Sequence, residues 1–117
     1  MSLKFYRYKK CGSCQKAQKF FEANEIDYKA VEIRETPPSK AELKKMLKNY
    51  EGNIKKLFNT SGLDYRSMNI KDKLPKMSKD EAIELLSQNG NLVKRPFLIS
   101  KEVLQVGFKQ EIYEELF

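Results

Sequence analysis

The sequence of 117 residues contains no histidine and only two cysteines, Cys11 and Cys14. A zinc ion in a protein needs about four ligands, and these are usually cysteine or histidine side chains. A zinc site built from this chain alone is therefore disfavoured. We expect no metal ion and no other cofactor.

Long apolar runs are also missing. No stretch approaches the ~20 apolar residues that a membrane-crossing helix needs, and the N-terminal segment lacks the apolar core of a secretory signal peptide. We therefore expect a cytoplasmic protein with no membrane partner. In that reducing compartment, two closely spaced cysteines are typically catalytic or redox-sensing rather than structural.

Acidic residues are absent from the first 20 residues, which carry six of the chain's 23 basic residues and thus +6 of its net charge of +7. These six are Lys4, Arg7, Lys9, Lys10, Lys16 and Lys19. They are not interleaved with exposed aromatic residues, and no nucleic-acid-binding motif is present. The charge thus indicates solubility and attraction of anions rather than direct binding of nucleic acid.

The two cysteines form a C-x-x-C motif at the start of a predicted helix. At the first turn of a helix, unpaired backbone N–H groups and the helix dipole favour the thiolate of the leading cysteine, Cys11. Basic charge from Lys9 and Lys10 acts in the same direction. The motif predicts a redox pair in which Cys11 is the nucleophile and Cys14 resolves the mixed disulfide. The alternatives are half of a zinc site and two incidental core cysteines.

Periodicity, turn residues and capping boxes predict strands at 3–8 and 26–33, separated by a helix from about 13 to 24. Short helices then follow at about 39–49, 54–62, 64–68 and 78–90. The predicted end of the chain is a hairpin of strands at 95–99 and 103–107 and a helix at 109–117. This order, β-α-β, helical insert at about 37–91 and β-β-α, predicts an α/β thioredoxin-like fold. We expect a single domain over residues 1–117 with a central mixed four-stranded sheet.

Three segments together resemble the ArsC-like family, in particular its branch of Spx and MgsR regulators. The segments are Tyr8–Ala17, Lys94–Ile99 and Leu104–Phe108, and the resemblance spans essentially the whole chain. It implies that Pro96 is a cis-proline facing Cys11. It also implies that Arg95 lies beside this cysteine and binds an oxyanion or pairs with the thiolate, unless Arg95 is a surface residue entering a strand.

The same resemblance suggests Arg66 as a second anion ligand, with an exposed helix face as the alternative. Together with Lys9, Lys10, Ser13 and Pro96, Arg66 completes the residues expected to bind substrate or anion, or to stabilise the thiolate.

The motif and the resemblance together suggest three functions, and we expect a monomeric protein. The first is a thiol–disulfide oxidoreductase that acts on a protein disulfide or a small oxyanion and is reduced by a thioredoxin- or glutaredoxin-type partner. The second is a redox-sensing regulator that binds the RNA polymerase α subunit, in which Gly52 is either at the polymerase contact or a helix C-cap. The third is arsenate reduction. Arsenate reductases of the family have one active-site cysteine and three arginines, whereas this chain has Cys14 and, after Gly107, Phe108. These departures favour thiol–disulfide exchange.

Overall fold

A four-stranded mixed sheet is the frame on which the two cysteines are placed. The structure, a computed structural model, describes residues 2–117. Its strands are β1 (Lys4–Arg7), β2 (Lys29–Glu32), β3 (Phe97–Ile99) and β4 (Leu104–Val106), in the spatial order β2-β1-β3-β4. Strand β1 is parallel to β2 and antiparallel to β3, and β3 is antiparallel to β4. The predicted mixed four-stranded sheet is confirmed.

The helices are α1 (Gly12–Ala23), α2 (Lys40–Asn49), α3 (Leu63–Ser67), α4 (Ile70–Lys73), α5 (Lys79–Gln88) and α6 (Gln110–Leu116). Three 3-10 turns lie at Ile54–Leu57, Leu74–Lys76 and Gly90–Leu92. None of the helices in the part of the chain that the structure describes combines the length and apolarity that a bilayer crossing requires. The element order is thus the predicted β-α-β, helical insert and β-β-α.

Alternating side chains of the central strand supply both layers of the core. In β1, Phe5 packs with α1 and α6, whereas the next residue, Tyr6, packs with the helical segment between β2 and β3. The same division occurs in β3, where Leu98 and Phe97 face opposite clusters. Successive side chains of a strand point to opposite faces of the sheet, so a single strand can anchor helices on both sides.

Two predicted capping boxes begin the longer helices of the insert. Ser39 and Ser78 each accept a hydrogen bond from the backbone N–H three residues later, and the glutamate there bonds back to the serine N–H. These local signals placed the starts of α2 and α5 correctly. Helix α4 and the turn at Leu74–Lys76 were not predicted, and Asn69 separates them from α3 with a φ of 55°.

The prediction of a helix over residues 54–62 is wrong beyond the first turn. Only Ile54–Leu57 is helical, and Phe58 instead forms an isolated antiparallel bridge with Val93. The backbone N–H groups on either side of this bridge donate to Leu92 and Leu57 carbonyls at 2.8 Å. This pairing with a distant segment takes the hydrogen-bonding groups that a continuing helix would use.

The insert also approaches the sheet very closely at one glycine. A Cβ atom added to Gly90 would lie 1.8 Å from the carbonyl oxygen of Ile33, just beyond β2. Real atoms cannot come this close, so a residue with a side chain would force the turn after α5 away from the sheet. Glycine at this position therefore holds the insert against the end of β2.

Candidate active site

Cys11 is the N-cap of α1, and its sulfur replaces the oxygen that usually caps a helix. The sulfur accepts a hydrogen bond from the backbone N–H of Cys14 at 3.3 Å. The Cys11 carbonyl accepts from the N–H of Gln15 at 3.0 Å, and its own N–H donates to the carbonyl of Tyr8 at 2.9 Å. The first turn of α1 carries no acidic residue. The predicted position of Cys11 at a helix N-terminus is confirmed.

This environment lowers the pKa of Cys11 from its ordinary value to about 5. The largest cause is a hydrogen bond from the Cys14 thiol, and partial burial opposes it. The backbone N–H of Cys14 and the guanidinium of Arg95, through a hydrogen bond and its charge, lower the pKa further. At neutral pH the sulfur of Cys11 is therefore a half-buried thiolate.

The second cysteine has the opposite character. Cys14 is 1% exposed, and the hydrogen bond that its thiol donates to Cys11, together with burial, raises its pKa well above the ordinary value. Both cysteines are free thiols, so the structure represents the reduced state. When the environment shifts the pKa values of two neighbouring groups in opposite directions, one is typically the ionised nucleophile and the other its protonated partner. Within residues 2–117, no three Cys, His, Asp or Glu side chains cluster closely enough to hold a metal ion.

Arg95 reaches Cys11 from the end of the sheet next to β3. It is followed by a cis peptide bond to Pro96, which is buried. The Cζ atom of Arg95 lies 5.1 Å from the centroid of the Tyr8 ring, a distance at which a guanidinium is attracted to an aromatic face. Tyr8 therefore supports the site with its ring, which holds Arg95, and with its carbonyl, which anchors Cys11.

A second arginine contacts the same ring and was missed by the sequence reasoning. The Cζ atom of Arg34 lies 4.8 Å from the Tyr8 centroid, and Arg34 and Arg95 line one small pocket of about 200 Å³. Asp64 lines it too, and accepts hydrogen bonds from the side-chain amides of Asn89 and Asn91. Arg34 follows the end of β2, and β1 and β2 are parallel, so both strands deliver residues to the same edge of the sheet.

The other predicted basic residues of the site, Lys9, Lys10 and Arg66, lie on the exposed surface. Lys9 and Lys10 are exposed, and the causes that lower the pKa of Cys11 are Cys14 and Arg95 rather than these lysines. The carbonyl of Lys9 accepts a hydrogen bond from the side chain of Gln15 at 2.9 Å, which fixes the loop before α1. Arg66 is exposed on α3 and does not line the pocket that holds Arg95.

Ser13 and Tyr113 complete the surroundings of the cysteines. Ser13 is exposed and lines a larger cleft of about 510 Å³. Tyr113 of α6 is fully buried, donates a hydrogen bond to the carbonyl of Gly107 at 2.8 Å, and packs against Phe108 with ring centroids 4.7 Å apart. Burial, and secondarily the charges of nearby groups that include both cysteines, raise the pKa of Tyr113. Tyr113 is therefore a neutral aromatic residue in the same buried cluster as Cys14.

A model of the ArsC family matches residues 6–116. The chain belongs to the ArsC family. The Bacillus subtilis protein YusI is 48% identical over 115 residues, which cover 98% of each chain. The global transcriptional regulator Spx of Listeria innocua is 31% identical over 102 residues, which cover 86% of this chain and 76% of Spx.

Among solved structures, an ArsC family related protein from Bacteroides fragilis is 40% identical and superimposes with a TM-score of 0.92, over 100% of this chain and 98% of that one. The predicted family resemblance and the thioredoxin-like fold are confirmed. Family members include proteins described as regulators as well as proteins described as related to arsenate reductase, so the fold does not choose between these activities.

Proposed function

We propose that this ArsC-family protein is a thiol–disulfide oxidoreductase that reduces protein disulfides through Cys11 and Cys14. The observation that carries the proposal is the half-buried sulfur of Cys11, which caps α1 and has a pKa of about 5. A thiolate is the nucleophile in disulfide exchange, and its partner Cys14 lies one helical turn away and stays protonated.

In the first step, the Cys11 thiolate attacks one sulfur of the substrate disulfide. A bond forms between Cys11 and that sulfur, the substrate's S–S bond breaks, and its second sulfur leaves as a thiolate. The negative charge thus moves from Cys11 to the leaving group. The low pKa of Cys11 keeps this nucleophile ionised over the physiological pH range.

The second step uses the change that the first step makes around Cys14. In the reduced protein, the charge of Cys11 and the hydrogen bond that Cys11 accepts both raise the pKa of Cys14. Both are lost once Cys11 is in a mixed disulfide, so the pKa of Cys14 falls. Cys14 then loses its proton to the leaving thiolate or to solvent and attacks the Cys11 sulfur. The substrate departs as a dithiol, having gained two electrons, and the protein is left with a Cys11–Cys14 disulfide. A thioredoxin- or glutaredoxin-type dithiol would return the two electrons.

The test is a coupled assay that follows consumption of NADPH by thioredoxin reductase and thioredoxin in the presence of a disulfide-linked model peptide. Wild-type protein should accelerate NADPH consumption, and Cys11→Ser should abolish the acceleration. Cys14→Ser should accumulate a mixed disulfide that mass spectrometry detects at Cys11. A Cys11→Ser protein that retains the wild-type rate would end the proposal.

A second candidate is a redox-sensing regulator that binds the RNA polymerase α subunit, since Spx matches 86% of this chain. Here the same cysteine pair would act as a switch rather than in turnover. Gly52 has a φ of 82° at the end of α2, and its N–H donates to the carbonyl of Leu47 at 2.9 Å, so helix termination alone accounts for this glycine. Retention on the immobilised C-terminal domain of the α subunit, compared between oxidised and reduced protein, tests this candidate.

Arsenate reduction is the third candidate, and the pair of guanidinium groups from Arg34 and Arg95 favours it. Arg95 lies beside the Cys11 thiolate, and Arg34 lines a pocket together with Arg95, so two planar guanidinium groups of one pocket are able to bind a tetrahedral oxyanion. Arsenate-dependent consumption of NADPH in the presence of a thioredoxin or glutaredoxin system measures this activity directly. A rate equal to that of the Cys11→Ser variant would remove the candidate.

A further inference from the structure

The larger cleft beside the cysteines is lined by four lysines and by no acidic residue. The four are Lys55 and Lys56 on the Ile54–Leu57 turn, Lys94 before β3, and Lys109 before α6, and we call this feature the lysine cleft. Its volume of about 510 Å³ falls in the range of clefts that bind ligands. The excess of basic residues in the sequence falls within the first 20 residues, and the four lysines of the cleft come from segments outside them.

The positive charge of the lysine cleft is not neutralised by the protein. Among residues 2–117, the ion pairs are Lys4–Glu42, Arg7–Glu32 and Lys40–Glu84, and none involves a lysine of the cleft. All four lysines are exposed. A concave surface lined by charges of one sign concentrates its potential and attracts ligands of the opposite sign. The cleft therefore favours a ligand with several negative charges.

The apolar wall of the lysine cleft connects it with the redox pair. Phe108 lines the cleft and packs against the buried cluster that contains Cys14, with Cys11 at its edge. Ser13, between the two cysteines in the sequence, lines the same cleft. A polypeptide whose cysteine has reacted with Cys11 would thus have its neighbouring residues at the entrance of the cleft.

The lysine cleft does not offer a free strand edge. Strand β4 is at the edge of the sheet, but its Val106 N–H donates to the hydroxyl of Tyr50 at 3.0 Å. The carbonyl of Leu104 accepts from the side chain of Asn49 at 3.0 Å. Addition of a ligand strand to an edge needs unpaired backbone groups. Recognition in this cleft therefore depends on side chains rather than on addition of a strand.

We propose that the lysine cleft binds an acidic segment of the protein substrate, with Asp or Glu side chains next to the cysteine that Cys11 attacks. The proposal rests on the thiol–disulfide exchange proposed above and names the class of substrate for it. The lysines raise the rate of encounter and orient the substrate, and they take no part in the exchange itself.

Two synthetic peptides with the same disulfide test this inference, one with glutamates and one with glutamines around the cysteine. For wild-type protein we expect kcat/KM to be about 10-fold higher for the glutamate peptide at low salt, and the preference to shrink at about 0.5 M salt. The double variant Lys55→Glu, Lys56→Glu should lose the preference. The matched control is Lys71→Glu, Lys73→Glu on α4, which makes the same change in net charge at exposed positions outside the cleft and should keep it.

The outcomes separate this inference from the function on which it rests. Equal reduction of both peptides by wild-type protein would overturn the acidic preference and leave the oxidoreductase proposal intact. An equal loss of preference in the cleft variant and in the control variant would assign the effect to net charge and also overturn the role of the cleft. If neither peptide is reduced, both proposals fail.

Discussion

Replacing Cys14 with alanine removes the hydrogen bond that contributes most to the low pKa of Cys11. A hydrogen bond to a charged group contributes about 1.5 to 3 kcal/mol, and one pKa unit corresponds to about 1.4 kcal/mol. The pKa of Cys11 should therefore rise by about one to two units. The backbone N–H of residue 14 and the guanidinium of Arg95 remain, so the value should stay below the ~8.5 of a free thiol.

The assay is the rate at which iodoacetamide alkylates Cys11 in reduced protein between about pH 4 and 9, with peptide mass spectrometry to locate the label. At pH 6, a thiol with a pKa of about 5 is about 90% ionised, whereas one with a pKa of about 6.5 is about 25% ionised. We therefore expect alkylation of Cys11 to be about four-fold slower at pH 6 in the alanine variant. The difference should vanish above about pH 8, where both thiols are ionised.

The matched control is Cys14→Ser, which keeps a hydroxyl donor at the same position. Its alkylation profile should remain closer to that of the wild type. If the midpoint of the alkylation profile stays near pH 5 in the alanine variant, the hydrogen bond from Cys14 is not the main cause of the low pKa of Cys11. An equal shift in both variants would mean that loss of the buried sulfur, and not of the donated hydrogen bond, changes the pKa.

Three further predictions concern stability. Gly90→Ala should lower the free energy of unfolding in urea by about 3 kcal/mol, because its Cβ would overlap the Ile33 carbonyl; a loss below about 0.5 kcal/mol would contradict the close approach. Ser78→Ala should cost about 1 kcal/mol through loss of the capping box, and unchanged stability would contradict the capping role. The folded-state pKa of Cys11, about 5, lies below the unfolded value of about 8.5. The stability that the thiolate adds is thus complete above about pH 8.5 and lost as the pH falls through about 5. As the pH falls through that window, the difference in unfolding free energy between reduced wild type and Cys11→Ser should shrink. A difference that stays constant would contradict the lowered pKa of Cys11.

Local signals in the sequence were sufficient for much of the fold. The capping boxes at Ser39 and Ser78 begin α2 and α5 because their hydrogen bonds join residues only three apart. The spacing of apolar residues likewise predicted α1, since one face of a helix is defined by its own sequence. Features of this kind do not depend on where the rest of the chain lies.

One error occurred where a distant segment decides the conformation. Ile54, Leu57 and Phe58 have helical spacing, yet Phe58 bridges to Val93 across the insert. The Phe58–Val93 bridge cannot be inferred from residues near Phe58. Strand β2 is shorter than predicted for a local reason, since the N–H of Ile26 donates to the carbonyl of Phe21 at the end of α1 instead of entering the sheet.

The candidate site shows the same division. The motif identified Cys11 and Cys14, and the family resemblance added Arg95, which lies beside Cys11 in the structure. Lys9 is close to Cys11 in the sequence, and its predicted effect on the Cys11 thiolate was too large, since its side chain is exposed. Arg34 is far from Tyr8 in the sequence and reaches its ring only because two parallel strands end at one edge of the sheet. The lysine cleft was missed for the same reason, since its lysines come from three separate segments.

The product formed when diamide mildly oxidises the reduced protein tests thiol–disulfide exchange between Cys11 and Cys14 most sharply. Exchange through the Cys11–Cys14 pair predicts that both thiols are lost together, with formation of an intramolecular Cys11–Cys14 disulfide, a mass two hydrogens lower, and full recovery of both thiols on addition of thioredoxin and its reductase. Loss of the Cys11 thiol alone, with Cys14 still free and the protein in an intermolecular disulfide, would contradict it.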